Sequence, residues 1–238
     1  MTVKTVNEDK QKPTGKRPGE KEAKMARNTQ ITLQIVGAAI FSALSIVVSI
    51  YIVPLLPRVP GMPMAYIDPI SFIWIICFLI FGVESGLLCC GVGTVGLMFA
   101  DIANAPWGPL MKFAATFSLI IVPIIFLKLY KRKDGVRKSQ VLKKPKNYVI
   151  HGALGTGLRV VVTLVLNIIL AYTVYAPFIA YVNLEFLGQP GITGITALII
   201  GFPLINAWQS VFDLLVPYAI VFGIMDYGLK LDEKFEIW

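Results

Sequence analysis

The run from Ile31 to Val53 contains no charged residue. It is long enough to cross a bilayer as one helix, which takes about 20 apolar residues. Inside hydrocarbon every backbone N–H and C=O must be satisfied by the chain itself, so a helix is the form such a run takes. Five more apolar runs follow: Ile67–Gly82, Gly86–Ala100, Leu110–Tyr130, Tyr148–Tyr175 and about Thr196–Ile224. The runs Ile67–Gly82 and Gly86–Ala100 are short for a perpendicular span. They read either as two spans shielded by neighbours or as one bent hairpin that does not fully cross. The sequence therefore predicts an all-α integral membrane protein with six transmembrane helices. Composition agrees, with 56% hydrophobic and 15% charged residues against roughly 45–50% and 25% in soluble domains.

Charge placement orients the spans. Of the 22 Lys and Arg, eight lie in residues 1–27 and nine in Lys128–Lys146. Six spans put both termini and both basic segments on one side, and the retention of Lys and Arg in the cytoplasm makes that side the inside, N-in/C-in. The outer loops then hold one basic residue, Arg58. Three parts follow: a disordered basic cytoplasmic tail over 1–28, a six-helix membrane domain over 29–227 with the basic cytoplasmic loop 128–146, and a cytoplasmic tail over 228–238. The first segment is rich in Lys and Glu and is interrupted by Pro13 and Pro18, so it has too little apolar surface to fold alone. It is too long for the n-region of a secretory signal, and no A-x-A-like site follows the first run, so that span is expected to remain in the mature protein.

The same features narrow the function. Single-sign charge clusters beside apolar runs fit topology and anionic lipid headgroups, and no nucleic-acid reader motif accompanies them. His151 is the only histidine, which counts against triads and zinc sites. Cys77, Cys89 and Cys90 lie within apolar runs without metal-ligand spacing and read as small buried hydrophobes. There is no Walker A sequence, so the chain does not hydrolyse ATP itself.

The polar exceptions carry the signal, because ionisable groups at membrane depth cost about 2.5–3.5 kcal/mol on insertion scales and face a cavity or a partner. They are Asp68, Lys112, Arg159 and Asp213, with Asn167, Asn206 and Gln209 as neutral companions. Asn206, Gln209 and Asp213 are three and four apart and share one helix face. That face suits a polar small molecule, or else an internal ion pair such as Arg159 with Asp213. Asp68 and Lys112 lie near an outer boundary, where they either meet a ligand or snorkel to the interface. The stretch Pro54–Pro69, PLLPRVPGMPMAYIDP, cannot continue a helix. With Met64 and Tyr66 it reads as a surface loop or as a lid over a cavity. In the first span Ala38, Ser42, Ser45 and Ser49, with Ala39 and Ala43 beside them, make a small-residue face built for close helix approach, from within the chain or from a partner.

Taken in order, AAIFSALS, IDPISFIWIICFLIFGVESG, WGPLMKFAATF, LVLNIILAYTVYAPF and FPLINAWQSVFDLL resemble the substrate-binding S components of energy-coupling factor (ECF) vitamin transporters, over roughly Ile31 to Ile224. The pattern is most similar to the riboflavin-binding branch: Asp68 after the first loop, Phe81-Gly82-x-x-x-Gly86 at the next turn, Asn167 in the fifth span, and Pro203 and Asn206 in the sixth. Gln209 departs from it, standing where that branch has Lys. The resemblance implies a substrate-capture subunit of an ABC importer, not an enzyme, with no cofactor or metal. It would bind a vitamin at the outer face of the cell membrane through Met64, Tyr66, Asp68, Lys112, Asn167, Asn206, Gln209 and Asp213. It would dock through Ala39 and Ala43 to a membrane coupling protein driven by two ATPase subunits. Riboflavin is the first ligand expected; thiamine, a pyridoxine-like compound or biotin are alternatives. A membrane-embedded transferase would need paired carboxylates or a metal motif, whereas Asp68, Asp101 and Asp213 are isolated in sequence.

Overall fold

The computed structural model describes residues 18–102, 105–129 and 139–228. The expectations for residues 1–17, for 130–138 of the basic loop and for 229–238 lie outside the described residues. Among the described residues seven α-helices follow in order: α1 Pro18–Tyr51, α2 Pro69–Phe81, α3 Val83–Ala100, α4 Trp107–Leu129, α5 Ser139–Lys143, α6 Pro145–Thr173 and α7 Gly194–Tyr218, which continues as a π-helix over Ala219–Gly228. Among the described residues, five stretches are long and apolar enough to cross a membrane: Arg27–Leu55, Val83–Ala100, Trp107–Leu129, Pro145–Thr173 and Gly194–Met225. By length and composition the chain is a mostly helical, multi-pass membrane protein.

One expectation needs correction. Helix α1 begins at Pro18, inside the segment expected to be disordered. Proline is favoured at the first helical position, and the Glu, Lys, Ala and Met that follow are good helix formers. Propagating an existing membrane-length helix requires no new nucleus and no separate core. Within the basic loop, Ser139–Lys143 forms one short helix.

Helix α2 has 13 residues, so it is about 20 Å long against a hydrocarbon thickness of about 30 Å. Its place explains its length. It packs against α1, α3, α4 and α7, and none of its residues is exposed. Ile70, Trp74, Cys77 and Phe78 lie at the centre of the larger hydrophobic cluster. A helix apolar on every side belongs in a core, and one that does not meet lipid need not match the bilayer. Gly82 alone joins α2 to α3, at φ +95°, a conformation that glycine adopts without a Cβ penalty. Its N–H donates to the Phe78 carbonyl at 3.0 Å, and its own carbonyl accepts from the Gly86 N–H at 2.9 Å.

Side-chain bonds between helices set their directions. At one end of the bundle Gln34 Nε2 donates to the Phe81 carbonyl at 3.0 Å, Tyr148 Oη to the Leu214 carbonyl at 2.9 Å and Tyr218 Oη to the Lys143 carbonyl at 2.8 Å. At the other end Lys112, early in α4, meets Asp68 at the head of α2. The loops 52–68 and 174–193 gather there too. They are joined by the Asn183 N–H donating to the Gly61 carbonyl at 2.9 Å. A second hydrophobic cluster lies beneath them, with Val59, Met62, Leu184, Ala197, Phe202 and Ile205. The loop 174–193 is not wholly irregular: Asn183–Leu184 and Gln189–Thr193 form a small antiparallel pair.

The α2–α3 contact is tight at Gly86, where an added Cβ would come within 2.7 Å of Phe78 Cβ, and open at Gly91, where it would meet nothing within 4 Å. Gly86→Ala should lower unfolding stability in micelles by about 1–3 kcal/mol, the usual cost of overpacking. Gly91→Ala should raise it by up to about 1 kcal/mol through helix propensity. Thermal unfolding of the two purified variants checks the pair, and equal effects would contradict the close approach.

Candidate functional site

The polar groups singled out in the sequence gather between the two hydrophobic clusters. Asp68 caps α2. Its Oδ1 accepts from the Ile70 N–H at 3.3 Å, and its Oδ2 accepts from Ser71 Oγ at 3.3 Å and from Lys112 Nζ at 3.0 Å. Ser71 and Thr116 share a hydroxyl bond of 2.8 Å beside them. Asp68 and Lys112, treated in the sequence as separate boundary residues, are thus one ion pair. The carboxylate is the more enclosed partner, with 11% side-chain exposure against 27% for Lys112.

Deeper in the bundle, α6 carries Arg159, which is 1% exposed. Its Nε donates to Asn206 Oδ1 at 3.3 Å, its Nη2 to Gln209 Oε1 at 3.1 Å and its Nη1 to Asp213 Oδ2. One planar guanidinium therefore engages the whole polar face of α7, whose spacing presents an acceptor on successive turns. Of the two readings left open by the sequence, the internal ion pair is the arrangement found. Its physical reason is that a desolvated guanidinium needs both an opposite charge and partners for its remaining N–H groups. Asn206 and Asp213 are accordingly committed to Arg159. The Asn206 Nδ2 is also used, donating to the Phe202 carbonyl at 2.9 Å. Asp213 Oδ1 is buried without a partner among the described residues.

Gln209 has a second contact. Its Nε2 donates to the Ala65 carbonyl at 2.6 Å, so the loop after α1 reaches down to a residue well along α7. That loop is packed down onto the bundle. Val59 and Met62 are buried, and Met64 and Tyr66 are half-buried against the second hydrophobic cluster. Asn167 lies two turns beyond Arg159 on α6, half-buried, with Nδ2 donating to the Thr163 carbonyl at 2.7 Å. The structure thus joins Asp68 to Lys112, and joins Asn206, Gln209 and Asp213 through Arg159, with Gln209 also bonded to the loop that carries Met64 and Tyr66; Asn167 bonds within its own helix. Sequence reasoning missed Arg159 as the centre of the site, although its position inside an apolar run marked it. It also missed the Ala65 carbonyl, because a backbone acceptor leaves no side-chain signal.

Ala39 and Ala43 are elsewhere. The small-residue face of α1 divides into two. Ala38, Ser42 and Ser45 are buried, with Ser42 Oγ donating across to the Cys89 carbonyl at 3.1 Å. Ala39 and Ala43 are exposed on the outside of the bundle. Among the described residues, a small, partly open cavity of about 20 Å³ lies near the opposite end, lined by Ile75, Phe78, Leu119, Tyr148, His151 and Leu214 among others. It is far below the 300 Å³ or more of a small-molecule site. His151 stacks there on Phe126, with ring centroids 4.8 Å apart.

No family model matches the chain, and no curated protein or solved structure is significantly similar to it.

Truncating Asp213 to Ala should leave Arg159 buried and uncompensated and cost about 3–5 kcal/mol of stability. The double change Arg159→Met with Asp213→Leu should cost less than Asp213→Ala alone. Denaturant titrations of both variants in the same detergent decide it, and a double variant that loses more stability than Asp213→Ala would mean that the pair is not the unit.

Proposed function

We propose that this chain is the substrate-capture subunit of an ECF-type importer, six spans with both termini inside. In this reading it takes a vitamin from the outside of the cell membrane and passes it inward when docked to a coupling protein and two ATPases. The observation that carries the reading is a closed loop held by the Ala65 carbonyl on Gln209, above polar groups drawn from α2, α4, α6 and α7. Polar groups at membrane depth are costly and mark a site by default. A cover whose backbone reaches them is what a capture protein needs to enclose a small polar ligand.

The charges in this layer pair off, Asp68 with Lys112 and Arg159 with Asp213. A layer without net charge suits an uncharged ligand that makes several hydrogen bonds, which favours riboflavin as the first substrate over a cationic vitamin such as thiamine. Met64, Tyr66, Asp68, Lys112 and Asn167 are the contacts proposed first, while Arg159 and Asp213 form the floor. The exposed Ala39 and Ala43 are proposed to meet the coupling protein, since small side chains let a helix approach closely in lipid.

Titration of the micelle-purified protein with riboflavin should quench flavin fluorescence stoichiometrically. Asn167→Ala should weaken binding roughly tenfold, the effect of one buried hydrogen bond of about 1.4 kcal/mol. The absence of quenching would remove riboflavin and send the protein to a thermal-shift panel of other vitamins. In cells, Ala43→Trp should abolish uptake while leaving ligand binding intact, because the position faces out of the bundle. Equal loss of binding would place that face in internal packing instead.

A further inference from the structure

We infer that Gln209 is the latch of the loop after α1, a positioning residue that ties this cover to the buried Arg159–Asp213 pair. The inference rests on the proposed reading of the loop as the gate of the ligand site. The amide works at both ends. Arg159 only donates, so Gln209 Oε1 must face it, at 3.1 Å from Nη2. That fixes which way the amide points and leaves Nε2 directed at the Ala65 carbonyl, 2.6 Å away. Neither end is free to turn without losing a bond in a residue only 8% exposed.

The loop is built to move as one piece. Pro54, Pro57, Pro60 and Pro63 recur every third residue, and each fixes its own φ. Internal bonds add to this: the Val59 N–H donates to the Met64 carbonyl at 2.9 Å, the Met62 N–H to the Val59 carbonyl at 3.0 Å and the Tyr66 N–H to the Pro57 carbonyl at 3.3 Å. Its tip rests on the neighbouring outer loop through Asn183 and Gly61. The Gln209 bond joins its base to the charged interior. Opening therefore breaks that bond and exposes one donor, Gln209 Nε2, and one acceptor, the Ala65 carbonyl. A ligand with an adjacent acceptor and N–H donor can replace the latch bond by bridging the two.

Hydrogen exchange of the full chain in micelles, without ligand, tests the latch apart from vitamin binding. In Gln209→Met, of similar length but with no amide, the amides of Val59, Met62 and Tyr66 should exchange roughly 2- to 10-fold faster, the span expected for one hydrogen bond. The amides of α4 should stay within twofold of wild type. Asn206→Leu removes another acceptor of Arg159 without touching the loop and should leave loop exchange unchanged. Gln209→Glu at pH 8 keeps an acceptor for Arg159, faces the Ala65 carbonyl with a carboxylate, and should also speed the loop; it serves if Gln209→Met does not fold. Unchanged loop exchange in the Gln209 variants, or equal acceleration in Asn206→Leu, overturns the latch. Accelerated loop exchange in a protein that binds no vitamin would leave the latch standing and remove the transport reading.

Discussion

The bundle is organised around a guanidinium that cannot be left alone. Arg159 sits in the middle of α6 with 1% of its surface exposed, where an unpaired cation would be costly in lipid and in protein alike. Asp213 supplies the opposite charge, and Asn206 and Gln209 engage further N–H groups. These bonds fix the rotation of α7 about its axis and its register against α6, which nonpolar ridges between two leucine-rich helices would specify only loosely. Everything placed on α7 inherits that register, including the seat of the loop after α1.

The second constraint is the depth to which irregular backbone is admitted. Non-helical segments are tolerated at membrane depth only where protein buries them or a cavity solvates them. Residues 56–68 are bonded among themselves, to Asn183 and to Gln209, so their backbone is tied down by protein. Because α2 is enclosed by α1, α3, α4 and α7, its shortness costs it no contact with lipid. The covering loop and the short central helix are two aspects of one arrangement.

Much of this was legible in the sequence. The long helices fall close to the apolar runs, Leu110–Tyr130 against Trp107–Leu129 and Tyr148–Tyr175 against Pro145–Thr173, because apolar length dictates helix in lipid. The shared face of Asn206, Gln209 and Asp213 was readable from spacing alone. Whether that face met a ligand or Arg159 was not, since helical periodicity places residues on a face without naming the helix opposite. The small-residue face of α1 shows the same limit. Ala38 and Ser42 turned inward to α3, and Ala39 and Ala43 turned outward, one residue of phase apart, a distinction that only packing decides. The start of α1 at Pro18 escaped for another reason: polar composition argues against an independent fold, not against the extension of a helix already nucleated in the membrane.

Gln209 departs from the pattern it otherwise resembles, and its surroundings give that departure a physical sense. Lysine has three donors and no acceptor. At this position it would set a second cation against Arg159, with the neighbouring Asp213 already engaged, and would leave Nη2 without its present acceptor. A carboxylate would satisfy Arg159 but oppose the Ala65 carbonyl. An amide alone, among side chains of that length, accepts from a guanidinium and donates to a backbone carbonyl at the same time while leaving the charge of the layer unchanged. The residue that weakens the likeness to a flavin site is therefore the one that this arrangement of Arg159, Asp213 and loop requires.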